Sequence, residues 1–113
     1  VDHRDLHLSI RRQRQMCIRD RAWLLATDNE VTLGAAEEAI ELAERATALT
    51  NRQSAMVLDA LAASYAAAGR FQEAVETQQR AVELAEVAGA SGTVSELRRR
   101  LALYQRGRPF RIG

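Results

Sequence analysis

The His and Cys residues of this chain, side chains often used in catalysis and metal binding, all lie before residue 22. His3 and His7 are four residues apart, a spacing that on a helix puts two imidazoles on one face, as a metal site requires. Cys17 is the one thiol of the chain, so no disulfide framework is expected. From residue 22 onward there is no His, no Cys and no Lys, because every basic residue there is Arg.

Without those side chains, the common catalytic constellations cannot be assembled from residue 22 onward. The serines there have no His to act as the base of a Ser-His-Asp triad. The segment GASG at 89–92 lacks the Lys and the spacing of a phosphate-binding loop. Glu37 and Glu41 are interpreted as part of a solvated helix face. We therefore expect no enzyme activity, no cofactor and no metal site in this part of the chain.

The first 21 residues resemble a translated sequencing adapter of the transposase type. Its codons CGT-CGG-CAG-CGT-CAG-ATG-TGT-ATA-AGA-GAC encode residues 11–20, and GAC-CAC-CGA-GAT-CTA-CAC encodes residues 2–7 in the same frame. Val1 departs from the adapter, which gives Gly there. We expect residues 1–21 to be non-native and exclude them from reasoning about the fold and about His3, His7 and Cys17. Because the chain does not begin with Met, we also expect a fragment of a larger protein.

Apolar spacings of three and four residues predict helices in the remainder of the chain. Residues 22–27 are predicted to end a first helix, and residues 28–34 to connect it to a second helix that ends at Leu49. The predicted inner stripe of that second helix is Ala36, Ala39, Ile40, Ala43 and Ala46.

Turn and capping residues set the predicted limits of the later helices. Asn51 is predicted to cap a third helix that runs to about Ala68, where Gly69 takes a left-handed conformation. A fourth helix is predicted over 71–87. A last one, opened by a Thr93–Glu96 capping box, is predicted to end at Gly107. Arg98, Arg99 and Arg100 are predicted to be mostly outside.

The stretch 58–84 has the pattern of one helical hairpin, and part of it recurs upstream at an offset of 35 residues. Ala39 corresponds to Ala74, Ala46 to Ala81, Arg45 to Arg80, Trp23 to Leu58 and Gly34 to Gly69. The hairpin resembles a tetratricopeptide repeat at Leu58, Leu61, Ala62, Tyr65, Gly69, Phe71, Ala74 and Ala81. Two positions depart from that pattern: Gln78, where an aromatic residue is usual, and Glu86, where Pro is usual.

The resemblance implies an all-α fold of antiparallel helix hairpins stacked as a short tetratricopeptide-like α-solenoid. Its two repeats would occupy 22–88, with a capping helix over 91–107 and a tail over 108–113. Such arrays present a concave groove to a protein or peptide partner, without a cofactor. The candidate groove residues here are Met56, Asp59, Ala63, Ala66 and Ala67.

Asp59 lies among apolar residues of the inner helix and admits two interpretations. In the first, it faces the groove and meets a cationic group of the ligand. In the second, it forms a local salt bridge or a hydrogen bond to the backbone. The carboxylate-clamp members of the family have Lys and Asn in the groove where Asp59 and Ala63 stand, so an acidic chaperone tail is not the expected ligand.

The expected function is that of a protein–protein interaction scaffold at the C-terminal end of a larger bacterial protein. The alternative is a non-catalytic C-terminal appendage that stabilises a missing enzyme domain, for example of a glycosyltransferase-type or membrane protein. Residues 22–90 carry four Arg against eleven acidic residues, whereas residues 91–113 carry six Arg against one Glu. Because no set of stacking aromatic residues accompanies the basic end, we expect it to meet the acidic repeats or the next domain rather than nucleic acid. Neither a membrane span nor a signal peptide is visible, so a cytoplasmic location is the default expectation.

Overall fold

The computed structural model describes residues 18–28 and 32–111, and every regular element within them is an α-helix. The helices are α1 (18–27), α2 (Leu33–Leu49), α3 (Ala55–Ala67), α4 (Phe71–Val87) and α5 (Ser91–Gln105). This confirms the predicted all-α class. His3, His7 and Cys17 lie outside the described residues, so the predictions about them stay predictions.

Helices α2 and α4 follow the predicted pattern. The five residues of the predicted inner stripe of α2 are all buried, while Glu37, Glu38 and Glu41 on its other face are exposed. The Thr32 side chain caps α2 by accepting a hydrogen bond from the Ala35 amide at 3.1 Å. Helix α4 has the predicted bounds, and it begins after Gly69, whose φ of 81° is left-handed as predicted.

The predicted cap of α3 is wrong. Asn51 and Arg52 both have left-handed backbones, with φ of 52° and 58°, and they form the turn between α2 and α3. The Arg52 amide donates to the Thr47 carbonyl at 3.0 Å, which closes the end of α2. The chain then needs two more residues before α3 begins, so Ser54 is the cap and accepts a hydrogen bond from the Val57 amide at 3.3 Å.

Two further local predictions need correction. Helix α5 begins at Ser91, with Ala90 preceding it and no side-chain cap, so Thr93 and Glu96 lie inside the helix and do not form a capping box. Gly89, at φ of 72°, ends α4, and the chain re-enters a helix almost at once. Gly34 lies within α2, so it is not a helix-ending counterpart of Gly69.

Helix α3 is the centre of the packing. Every residue from 57 to 64 is buried, so α3 is covered on all sides and lacks the two-faced pattern of a surface helix. It packs against α2 and α4, and α4 packs in turn against α5. Many of the contacts are made by Ala residues without solvent exposure, such as Ala39, Ala62 and Ala74, which allow helix backbones to approach closely.

Burial repeats along the chain at the offset of 35 residues that the sequence shows. Between α2 and α4 the equivalent buried pairs are Ala39/Ala74, Ala43/Gln78, Ala46/Ala81 and Thr47/Val82. Between α1 and α3 they are Ala22/Val57, Ala26/Leu61 and Thr27/Ala62. The chain therefore forms a compact bundle of sequentially packed helices in which two consecutive helix pairs bury corresponding positions. None of the helices in the described ranges is long and apolar enough to cross a membrane.

Candidate functional site

A buried carboxylate lies where α3, α4 and α5 meet. The side chain of Asp59 on α3 has no solvent exposure. Its Oδ1 accepts a hydrogen bond from Gln78 Nε2 on α4 at 3.0 Å, and its Oδ2 accepts one from Arg100 Nη1 on α5 at 2.7 Å. Arg19 Nη2 on α1 lies 3.9 Å from the same Oδ2. The Asp59 carboxylate on α3 thus lies next to side chains from three other helices, α1, α4 and α5.

Gln78 and Arg100 are the members of this network from residue 22 onward that the sequence did not reveal, and Arg19 lies in the segment 1–21 that was expected to be non-native. Gln78 stands where the repeat pattern has an aromatic residue, and its Nε2 also donates to the Leu97 carbonyl at 3.0 Å. In the sequence, Gln78 could be recognised as a polar residue within the apolar stripe of α4. Arg100 was predicted to be mostly outside, but its side chain is only 16% exposed because it turns inward to Asp59. Of the two interpretations of Asp59, the structure shows the intramolecular salt bridge.

Aromatic rings cover the two arginines that approach Asp59. The Arg100 guanidinium lies 4.8 Å from the centre of the Trp23 ring and 4.9 Å from that of Phe110. Arg19 lies 5.0 Å from the Trp23 ring, and the two aromatic rings are 5.6 Å apart at 37°. Cations at such distances are attracted to the faces of aromatic rings, more strongly where water is excluded. These contacts between arginines and aromatic rings therefore join α1, α5 and Phe110.

The C-terminal tail, residues 108–111, folds back over α3. Gly107 has a left-handed φ of 69°, and the Arg108 amide donates to the Leu103 carbonyl at 2.9 Å, which reverses the chain after α5. Phe110 then packs against a cluster formed by Ala62, Ala66, Ala74 and Tyr104.

Arg111 extends the contact of the tail to α1. Its Nη1 donates to the Ala26 carbonyl at 2.9 Å. The tail is therefore attached to both α1 and α3.

The five predicted groove residues lie along α3, and in this chain most of them are covered. Asp59, Ala63 and Ala66 are buried, Ala67 is half-buried, and Met56 is 47% exposed. The covering groups come from the same chain. Ala63 and Ala67 pack in a cluster with Trp23 and Ala26, Ala66 packs in the cluster that contacts Phe110, and the Met56 carbonyl accepts a hydrogen bond from Arg19 Nε at 3.2 Å.

Burial dominates the electrostatics of the site. Desolvation raises the pKa of the Asp59 carboxyl above its ordinary value, and the nearby Arg100 charge, the Gln78 hydrogen bond and Arg19 oppose that rise. Burial, followed by the Asp59 charge, also raises the pKa of the Tyr104 phenol. Gln78 Oε1, Arg100 Nε and Tyr104 Oη are buried without a hydrogen-bond partner among the described residues. The Asp59 carboxylate is therefore shielded from water, and Arg100 is its closest counter-ion.

The other arginines of α5 pair with acidic side chains nearby. Arg98 forms an ion pair with Glu86 on α4, and Arg99 Nη1 lies 3.5 Å from Glu96 Oε1. Glu86 of α4 and Glu96 of α5 itself therefore neutralise part of the basic C-terminal end. Groups of three or more His, Cys, Asp or Glu side chains able to hold a metal ion are absent from residues 18–28 and 32–111.

Comparison of the chain with models of known families, with curated proteins and with solved structures finds no match.

Proposed function

We propose that this chain is a tetratricopeptide-like interaction module that binds a segment of another protein and performs no chemistry itself. The observation that carries the proposal is the repeated burial of equivalent positions 35 residues apart, in α1 and α3 and again in α2 and α4. Repeats of about this length stack neighbouring helix pairs and generate an extended concave surface. In this proposal α5 is the capping helix of the array.

The face of α3 that carries Met56, Asp59, Ala63, Ala66 and Ala67 is the proposed binding surface. Small side chains along a helix allow a ligand to approach its backbone closely, and a buried carboxylate favours a cation. The groups that cover this face within the chain have matching chemistry. Arg100 meets Asp59 at 2.7 Å, and Phe110 packs on the cluster that contains Ala66.

A selection from a displayed library of random peptides tests the proposal directly. The intact chain is the bait, and the enriched peptides are resynthesised and their affinities measured by calorimetry. Met56→Arg places a charge on the exposed end of the proposed surface and is expected to weaken binding. Val87→Arg, at a residue that is 88% exposed on α4, is the matched control and is expected to leave binding unchanged.

Two results would count against this function. One is that no peptide is enriched above an unrelated helical bait. The other is that Met56→Arg and Val87→Arg weaken binding equally. The absence of any binding peptide would favour the alternative proposal, in which the chain is a C-terminal appendage that stabilises an enzyme domain. Increased thermal stability of such a domain in the presence of this chain would then be the decisive measurement.

A further inference from the structure

The C-terminal tail is attached to the proposed binding surface in the way that a short peptide ligand would be. Within residues 109–111 the backbone forms no hydrogen bond to the backbone of the other described residues, and attachment is by side chains. Phe110 packs on the cluster formed by α3, α4 and α5, and the centre of its ring lies 5.6 Å from that of Trp23, while Arg111 donates to the Ala26 carbonyl at 2.9 Å. An aromatic residue followed directly by an arginine is therefore the pair of side chains that this surface holds.

The tail is attached more weakly than the helices that it covers. Phe110 and Arg111 are only half-buried, and the preceding Arg108 is exposed. Segments with few buried contacts and few backbone hydrogen bonds open at a lower free-energy cost than the core of the same protein. The tail can thus leave the surface without unfolding α3, whose residues 57–64 are held on other sides by α2 and α4.

We propose that the tail occupies the binding surface in the absence of a partner, and that the partner is a protein segment presenting an aromatic residue followed directly by arginine. This inference rests on the proposed function. Beyond that function, it specifies the chemistry of the ligand and an autoinhibitory contact made by the tail. The partner's aromatic ring takes the place of Phe110 beside Trp23 and the cluster that contains Ala66, and its arginine takes the place of Arg111 at the Ala26 carbonyl.

A second copy of this chain is a poorer occupant than a partner segment. The tail follows α5 by two residues, so its effective concentration at its own surface is on the order of millimolar, as for other short tethers. A tail from another copy has the same side chains and no extra contact to overcome that advantage. A partner segment has residues beyond the aromatic–arginine pair, and contacts made by those residues allow it to displace the tail.

The test uses a blocked peptide, acetyl-Gly-Arg-Pro-Phe-Arg-amide, which has the sequence of residues 107–111. Its affinity is measured by calorimetry for the full-length chain and for the full-length Phe110→Ala/Arg111→Ala variant. Fluorescence of Trp23, the one Trp of the chain, reports on the aromatic contact. We expect the variant to bind the peptide about tenfold more tightly or better, because the tail no longer competes.

Matched controls define the site. A peptide with Ala in place of Phe is expected to bind neither protein, and Arg108→Ala, at an exposed tail residue, is expected to bind like the intact chain. The inference is overturned if the intact chain and the double variant bind the peptide equally, or if the Phe and Ala peptides bind equally. If the double variant loses its helical signal, Arg111→Ala compared with Arg108→Ala decides in the same way, since it removes only the hydrogen bonds of Arg111 Nη1 to the Ala26 and Phe110 carbonyls.

Failure of this inference and failure of the proposed function give different results. If library peptides bind the intact chain but do not compete with the blocked peptide, the proposed function stands. The tail is then not a competitor for the binding surface, and this inference is overturned. Concentration-dependent dimerisation that Phe110→Ala abolishes would also overturn it, because it would make a second copy the occupant. Binding of the blocked peptide to the double variant, with no library peptide enriched on either protein, supports the autoinhibitory contact and contradicts a general peptide-binding module.

Discussion

Asp59 is the residue whose replacement should affect the fold most. Removing one partner of a buried ion pair leaves the other charge uncompensated, at a cost of about 3–5 kcal/mol. Arg100 keeps a second acidic neighbour, Glu96, at 3.8 Å, so we expect Asp59→Leu, which removes both the charge and the hydrogen-bond acceptors, to lower the free energy of unfolding by about 3 kcal/mol, the low end of that range. Urea denaturation measures the loss.

The control for this prediction is Glu86→Gln, which breaks the exposed Glu86–Arg98 pair and should cost less than about 1 kcal/mol. A further variant, Asp59→Leu combined with Arg100→Met, removes both charges and should recover most of the loss. If the double variant is as unstable as Asp59→Leu, packing at residue 59 rather than charge determines the stability.

The protonation of Asp59 gives stability a pH dependence with a defined sign. Because burial raises the pKa of its carboxyl above 3.8, the folded chain binds this proton more tightly than the unfolded chain does. The contribution of Asp59 to stability therefore decreases as pH rises from about 3.8 to its folded pKa, and is constant above that. The difference in unfolding free energy between the native chain and Asp59→Asn should accordingly grow on acidification. A difference that shrinks instead would mean that the Arg100 charge outweighs burial.

The sequence pattern predicted features that depend on local periodicity. It did not predict contacts between residues of helices that are distant in sequence. The inner stripe of α2 and the left-handed Gly69 each depend on neighbours within one or two turns. Asp59 and Arg100 are 41 residues apart, and their contact depends on how α5 packs on α4, which no local pattern specifies. Asn51 failed as a cap for a similar reason, because the turn needed two left-handed residues before α3 began.

Helix contacts through alanine make α4 sensitive to added volume. Ala74 and Ala81 have no solvent exposure, whereas Glu76 on the other face of α4 is exposed. We expect Ala81→Leu to lower the free energy of unfolding by about 1–3 kcal/mol through overpacking. Glu76→Ala is the control and should change it by less than about 0.5 kcal/mol, as is usual for surface positions. Equal losses in urea denaturation would show that the α4 contacts tolerate larger side chains.

The turn between α3 and α4 depends on the left-handed conformation of Gly69. Its φ is 81°, and the space around it is open. A Cβ at this position would therefore strain the backbone but would not collide with a neighbouring atom. Gly69→Ala should therefore lower the melting temperature, with a cost of about 1–2 kcal/mol. Gly92→Ala is the matched control, because Gly92 lies in the first turn of α5 with equally open surroundings. It should be neutral or stabilising by up to about 1 kcal/mol. A similar loss in both variants would contradict the role assigned to Gly69.

At the scale of the molecule, the two ends of the described chain meet over its central helix. Trp23 of α1 contacts Arg100 of α5 and Phe110 of the tail, and Arg111 donates to the Ala26 carbonyl. The sequence predicted an array of helices and its repeat, but not this meeting of the two ends, because Arg100 was placed outside and no contact between the tail and α1 was predicted. An open solenoid has interactions only between neighbouring repeats, whereas closure links elements that are far apart in sequence.

Because contacts of α1 with α5 and the tail link the two ends of the described chain, unfolding should be a single cooperative event. Domains under about 150 residues usually unfold in one transition, but repeat arrays lose that behaviour when their ends fray independently. Trp23 fluorescence reports on the junction of α1, α5 and the tail, while far-UV circular dichroism reports on all of the helices. We expect the two thermal transitions of the native chain to coincide. In Phe110→Ala the fluorescence transition should come first, because the junction has lost an aromatic contact, whereas in Arg108→Ala the two should still coincide. A fluorescence transition that precedes the loss of helix in the native chain would show that the ends of the chain are not part of its cooperative unit.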